Sequence, residues 1–227
     1  MVILFEYPEK SRFGRKIPKN KFYENVTFNR KLKEKFINQI DKIIWKHKLA
    51  PNTLNLDATD EVPEIVVLDI FLKNEEIEQA LLEIIDNAIP LPIIFHLHQK
   101  NKIKIKAAYK RPSVSANNNW IVESYLESDW ELLNTITKQS IPQALNLEKL
   151  YEAILLALIP VEFKNNKKTR NIAEQISTIN QVKLLKKEIE QLTLKYNKEK
   201  QKNHQFEINK KIKLKQKELS KLKNSGD

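Results

Sequence analysis

The chain has 227 residues, no Cys, two Gly and a formal net charge of +11. Zero Cys excludes disulfides, thiolate metal sites and cysteine nucleophiles. No apolar run approaches the roughly 20 residues a membrane span needs. The charge is uneven. Residues 164–227 hold 18 Lys and Arg against 7 Asp and Glu, whereas residues 1–163 hold 22 of each. The expectation is a neutral globular body over 1–163 and a basic tail over 164–227. An excess of positive charge suggests an acidic partner, of which nucleic acid is the commonest. The bland alternative is a Lys-rich solvated surface.

Taken in order, Met1 to Pro8 reads as a strand, too short and too lightly flanked for a signal peptide. The expected location is therefore the cytoplasm. Ser11 to Tyr23 carries five basic residues and three aromatics, and Gly14 and Pro18 shape its backbone. It reads as an ordered loop. Arg15, Lys16, Lys19 and Lys21 are its candidates for phosphate contact. The competing reading is a loop anchored by its aromatics, with its lysines in water. Asn29 to Leu49 reads as one helix, with Phe28, Leu32, Phe36, Ile40, Ile43 and Ile44 inward and Pro51 ending it. Glu64 to Lys73 is apolar on both faces and predicts a central strand. Glu75 to Ala88 predicts an amphipathic helix. Ile93–His98 and Ile103–Lys110 predict a hairpin turning at Gln99 to Lys102. Trp120 to Leu126 predicts a further strand, and Leu147 to Leu158 a closing helix. The fold class is α+β: a mostly antiparallel sheet with flanking helices, plus a C-terminal helical hairpin.

That hairpin is read from spacing. Ile172, Ile176, Ile179, Val182, Leu185, Ile189 and Leu192 alternate steps of three and four, the seam of a coiled coil. A second seam, Ile208, Ile212, Leu219 and Leu222, is out of phase with the first, and Lys215 interrupts it. A polar run from Asn197 to Gln205 separates them. Two phases around a polar break predict an antiparallel coiled-coil hairpin. Ile176, Ile179, Val182, Leu185, Ile189 and Leu192 are the candidate partner-binding residues, toward another protein or a second copy of the chain. Lys210, Lys211, Lys213 and Lys215 are the candidate nucleic-acid contacts. Lys outnumbers Arg in the tail 17 to 1. Lysine is a point charge suited to phosphates, so the expected binding is sequence-independent.

Catalytic signals are weak. His96 and His98 share a strand face and could ligate zinc or copper, but no third ligand is apparent in the sequence. Asp69, Glu127 and Asp129 are the carboxylates that could hold magnesium for phosphoryl chemistry. No acidic-x-Lys step accompanies them. Glu127 to Trp130 reads instead as a turn, with Ser128 or Asp129 capping a short helix. The row Lys102, Lys104 and Lys106 reads as a charge-protected sheet edge. With two Gly there is no P-loop and no dinucleotide fingerprint. No cofactor or metal site is assigned.

Phe13-Gly14-Arg15-Lys16-Ile17-Pro18-Lys19, Glu64 to Lys73, Ile89-Pro90-Leu91-Pro92-Ile93-Ile94-Phe95, Ala108-Tyr109-Lys110 and Glu127-Ser128-Asp129-Trp130 together resemble a bacterial family, the domain of unknown function numbered four-three-nine-one. The resemblance covers nearly the full length, including the Lys-rich coiled tail. It carries no catalytic residue. Members of that family tend to sit beside helicases and DNA methyltransferases in restriction-like or phage-defence gene clusters. The resemblance thus implies a non-catalytic accessory or adaptor subunit that docks a helicase or methyltransferase partner. The alternative is a metal-dependent nuclease subunit of such a system.

Overall fold

Ile65–Leu72 (β4) has no polar face to offer water except Asp69, and nearly every residue in it is buried. Such a strand is stable only with neighbours on both sides and cover on both faces. The structure, a computed structural model, places it in the middle of a seven-stranded sheet. Residues 4–23, 30–112, 120–160, 163 and 172–224 are described, and the chain divides into two compact units, 1–159 and 160–227.

In the first unit Ile40–Leu49 (β3) pairs antiparallel with one side of β4, and Arg12–Ile17 (β2) pairs outside β3. Ile93–Gln99 (β5) pairs parallel with the other side of β4. Parallel neighbours need a crossover, and Gln79–Ala88 (α4) supplies it. Lys102–Pro112 (β6) and Trp120–Glu127 (β7) extend the sheet antiparallel from β5, and Glu131–Leu132 (β8) pairs with the start of β6. Leu4–Glu6 (β1) stands apart, pairing in parallel with Lys138–Ser140 (β9). Arg30–Gln39 (α2) and α4 cover one sheet face, where Phe36, Leu68, Ile70, Leu81, Ile85 and Phe95 form the core. Leu147–Leu158 (α5) packs on β6 and β7 and is capped by Asn146, whose side chain accepts from the Lys149 N–H.

Four expectations are corrected here. The basic segment 11–23 is not a loop. After a 3₁₀ turn at Glu9–Ser11 it forms edge strand β2, kinked where the register shifts between Arg12 and Arg15 around Gly14, whose φ is +66°. A four-residue helix, Asn20–Tyr23 (α1), follows β2. The helix expected over 29–49 stops at Gln39 and runs straight into β3; Phe28 lies outside the described residues. The junction is pinned from outside. The Gln39 carbonyl accepts from the Lys73 N–H at 2.9 Å, its side chain bonds Glu78 twice, and Lys19 Nζ donates to the Ile40 carbonyl at 2.9 Å. The β-branched and aromatic residues Ile40, Ile43, Ile44 and Trp45 then suit the ladder with β4 better than a further helical turn. Pro51 opens a short helix, Pro51–Leu54 (α3), at a position where its missing N–H costs nothing. The lysine row lies on interior strand β6, not on an edge, and Lys104 and Lys106 pair with Glu127 across β7. Trp130 starts no helix. The Ser128 hydroxyl accepts from the Ile105 N–H and donates to the Asp129 carbonyl, directing the chain into β8.

A buried polar group joins α4 to the sheet. Asp86 ion-pairs with Lys110 at 2.6 Å and accepts from the Tyr125 hydroxyl; Lys110 Nζ also donates to the Leu91 carbonyl at 2.9 Å. Burial pushes the Asp86 carboxyl up and the Lys110 ammonium down from their ordinary values, against their mutual attraction.

The second unit is a helical hairpin. Ile172–Lys198 (α6) and Lys202–Asn224 (α7) pack on each other, 27 and 23 residues long. At 1.5 Å per residue these arms are roughly 40 and 35 Å. The turn falls inside the polar run. The Glu199 carboxylate accepts from the Lys200 and Gln201 N–H groups, and Gln205 closes back on the Glu199 carbonyl at 2.8 Å. Ile176, Ile179, Val182 and Leu185 are buried, Ile189 and Leu192 half-buried, and Ile212 of α7 is buried. Lys215, the break in the second seam, reaches Glu188 on the facing arm as an ion pair. Among the described residues no helix is long and apolar enough to cross a membrane.

Candidate functional site

Register decides which side chains share a sheet face. Asp69 stands opposite His96 in the parallel pair β4–β5, and His98 lies two residues on. All three therefore share one face. Phe95 is the partner of Leu68 and of Lys106, and Lys106 is the partner of Glu127. Glu127 thus lies on the other face, three strands from Asp69, or roughly 14 Å at sheet spacing. Lys106 and Lys104 outweigh the effect of burial on Glu127 and hold its carboxyl below the usual range. Asp129 is exposed, beyond the end of β7. The three carboxylates singled out in the sequence are not gathered into one site.

What gathers around Asp69 is a set of imidazoles. His96 Nδ1 and His98 Nε2 stand 3.3 and 3.2 Å from Asp69 Oδ1, and Lys46 Nζ stands 3.3 Å from Oδ2. Burial alone would raise the Asp69 carboxyl. The hydrogen-bonding and charge of His96 and His98 outweigh burial and drive it far below the carboxylate range, so Asp69 is ionised. His98 stacks on Phe71 at 4.6 Å. The Tyr7 ring lies 4.9 Å from His47 and 5.9 Å from His96. Burial, then the Asp69 charge, raises the Tyr7 phenol and keeps it protonated. His47 Nδ1 is 3.0 Å from Ser11 Oγ. Tyr7, Lys46, His47, Asp69, His96 and His98 line a pocket of about 460 Å³, together with β1. Among the described residues no three His, Cys, Asp or Glu side chains are placed to hold a metal ion. At Asp69 the second carboxylate oxygen already faces the Lys46 ammonium.

Sequence reasoning names Asp69, His96 and His98 separately and misses Tyr7, Ser11, Lys46 and His47. The last two are hidden when β3 is read as a helix. The β-branched and aromatic run Ile43-Ile44-Trp45 is the available signal. A bulge between Trp45 and His47 turns Lys46 toward Asp69.

Of the basic candidates, Arg15, Lys16 and Lys21 are exposed, with the Arg15 guanidinium 4.8 Å over the Phe13 ring. Lys19 is held on the Ile40 carbonyl. Lys210, Lys211 and Lys213 are exposed on α7, while Lys215 is paired with Glu188. The candidate partner-binding seam, buried over its first half and half-buried at Ile189 and Leu192, is not an open stripe. Among the described residues the hairpin's exposed large apolar side chains are Leu184, Leu194, Phe206 and Leu214.

His47 makes stability pH-dependent. Burial first, then the positive charge of His96 and Lys46, lowers it to about 4, against the opposing pull of Asp69 and Glu9. Between its unfolded value near 6.5 and about 4, the unfolded chain binds the extra proton, so stability falls as pH drops through that window. Asp69 adds a second loss below roughly pH 4, as its depressed carboxyl is forced to protonate. For the half-buried ring the loss is about 1 kcal/mol after allowance for solvent screening. Urea midpoints at pH 7.5 and 5.0 should differ for the parent and converge for His47→Gln.

The fold and pocket define an α+β sheet protein that carries a basic helical hairpin. The chain belongs to the domain of unknown function family DUF4391, whose model matches residues 5–219. No curated protein and no solved structure matches it.

Proposed function

We propose that the chain is an accessory subunit of a DNA-processing complex of the restriction or phage-defence kind. In this reading its hairpin contacts nucleic acid through phosphates and docks a helicase or methyltransferase partner. The observation that carries the reading is the placement of charge. Residues 1–163 are neutral, and the net +11 sits on residues 164–227, where Lys210, Lys213 and Lys217 share one exposed side of α7. A point-charge surface of this kind reads phosphates and not bases. The exposed Leu184, Leu194, Phe206 and Leu214 suit a protein partner better than the occupied seam does. A second copy is disfavoured by like charge.

A few phosphate contacts imply a log–log salt slope of about −3 to −6, with affinity micromolar or weaker at physiological salt. Fluorescence anisotropy against duplexes of unrelated sequence is the test. Replacing Lys210, Lys211, Lys213 and Lys217 with Gln is expected to weaken all sequences alike and flatten the slope by about 0.9 for each phosphate no longer neutralised. Unchanged binding in that variant, with binding abolished by Arg15→Ala or Lys16→Ala, moves the DNA-facing surface to β2 and rejects the hairpin reading.

A second reading, a nuclease subunit, is favoured by the imidazole pocket around Asp69. The dispersed carboxylates do not support its metal-dependent form.

A further inference from the structure

The pocket holds two imidazoles with different neighbours. The Ser11 hydroxyl donates to the Pro8 carbonyl at 2.6 Å, so toward His47 its oxygen can only accept. His47 therefore carries its proton on Nδ1, which leaves Nε2 as the acceptor. His96 is 5% exposed, and its Nδ1 lies 3.3 Å from Oδ1 of the ionised Asp69 carboxylate. Its Nε2 is buried with no hydrogen-bond partner, an arrangement that costs free energy unless something else uses that atom. Tyr7 lies over both rings, and Lys46 adds a cation beside them.

We propose that this pocket is an acid–base site that cleaves single-stranded RNA through attack of the substrate's own 2′-hydroxyl, with His47 as base, His96 as acid and Lys46 beside the phosphate. The 2′-oxygen–phosphorus bond forms as the 2′-proton passes to His47 Nε2. The phosphorus–5′-oxygen bond breaks as His96 Nε2 gives its proton to the leaving oxygen. The products are a 2′,3′-cyclic phosphate end and a free 5′-hydroxyl. Nothing is oxidised or reduced, no water is consumed, and solvent resets the two protons. Lys46 offsets the charge that develops on the phosphoryl oxygens.

The substrate class follows from the missing nucleophile. Ser11 is buried and its hydroxyl is committed to Pro8. Tyr7 is held protonated by burial. Lys46 at Asp69 leaves no cluster among the described residues placed for a metal-bound hydroxide. No side chain of the lining supplies the attacking oxygen, and in this proposal it comes from the substrate. RNA brings one and DNA does not. Attack by water activated at His47 would instead cut the 2′-O-methyl strand. His96 Nε2 is covered in this conformation, so a neighbouring side chain has to move as the phosphate enters, and Tyr7, whose ring lies 5.9 Å from His96, is the one proposed. Tyr7 follows directly on β1, a strand of three residues whose ladder partner is β9, so the displacement need not disturb the main sheet. The proposal is independent of the hairpin reading, since its residues all lie in the first unit.

The test incubates the full-length protein in EDTA with a fluorophore–quencher RNA, its 2′-O-methyl form and the matching DNA. Only the unmodified RNA should be cut, leaving cyclic phosphate ends by mass spectrometry. His47→Gln and His96→Gln should each slow cleavage about 100-fold or more. The titratable and charged groups facing His47 are Tyr7, Glu9, Lys46, Asp69 and His96. With them intact, His47→Gln should remove the acidic limb of the pH–rate profile and His96→Gln the alkaline limb, which a merely structural role would not do. Lys46→Ala, at a partly exposed side chain, should lower the rate about 10-fold and move the acidic limb to higher pH, since its charge no longer holds His47 down. Intact RNA throughout pH 5–9 overturns the proposal. So does cleavage of the 2′-O-methyl strand, or cleavage that requires added magnesium or manganese. The 2′-O-methyl arm uses the parent protein and holds even if a histidine variant fails to fold.

Discussion

Lys110→Ala is expected to destabilise the sheet-and-helix unit by about 3–5 kcal/mol, because it strands the Asp86 carboxylate in a buried site. The Lys110 and Asp86 side chains are 2% and 0% exposed, so no water replaces the lost ammonium. The Leu91 carbonyl also loses its donor. In a unit of about 160 residues this lowers the melting midpoint by roughly 10 °C. The double change Asp86→Leu with Lys110→Met should recover part of the loss, since no charge remains buried, although the Tyr125 hydroxyl no longer has Asp86 to donate to. Differential scanning calorimetry of the parent and the two variants checks both signs. A Lys110→Ala protein that melts within 2 °C of the parent would show that water reaches Asp86.

Val182→Asp is expected to open the hairpin. Val182 is 1% exposed at the middle of the seam, and an unpaired carboxylate there costs several kcal/mol. A pair of helices joined through one seam has little reserve, since most helical stability in proteins comes from packing of the apolar face. Amide exchange should therefore lose protection through both α6 and α7, while β4 and β5 keep theirs. Leu184→Asp, at a neighbouring position that is 58% exposed, should leave both helices protected. Loss of protection in β4 as well would mean that the first unit depends on the hairpin for its own stability.

How much is legible in the sequence depends on where each element's partners lie. β4 is readable because its two apolar faces allow only a central position. The β5–β6 hairpin is readable because alternation and turn residues lie within one short stretch. The hairpin of α6 and α7 is readable because the two seams and the polar break between them are local. β3 is not. Its periodicity fits a helix as well as a strand, and its ladder partner β4 lies more than a dozen residues away. β2 escapes for the same reason: a bulged, basic edge strand alternates too poorly to be recognised before its neighbour is in place.

The chain's composition and local periodicity determine by themselves that the protein is an α+β body with a basic coiled-coil hairpin, free of cysteine chemistry. Those properties depend on charge totals and on residues within a turn or two of each other. Tertiary structure alone decides the pocket. His96 and His98 are visible as a pair, but their carboxylate sits 27 residues away from His96 and arrives only because β4 and β5 pair in that register. His47 and Lys46 arrive through a strand that the sequence disguises as a helix, and Tyr7 through a separate two-stranded ladder. The same registers put Glu127 on the opposite face and commit it to lysines. Long-range strand pairing fixes which faces meet, and a shift of one residue would turn Asp69 away from both histidines.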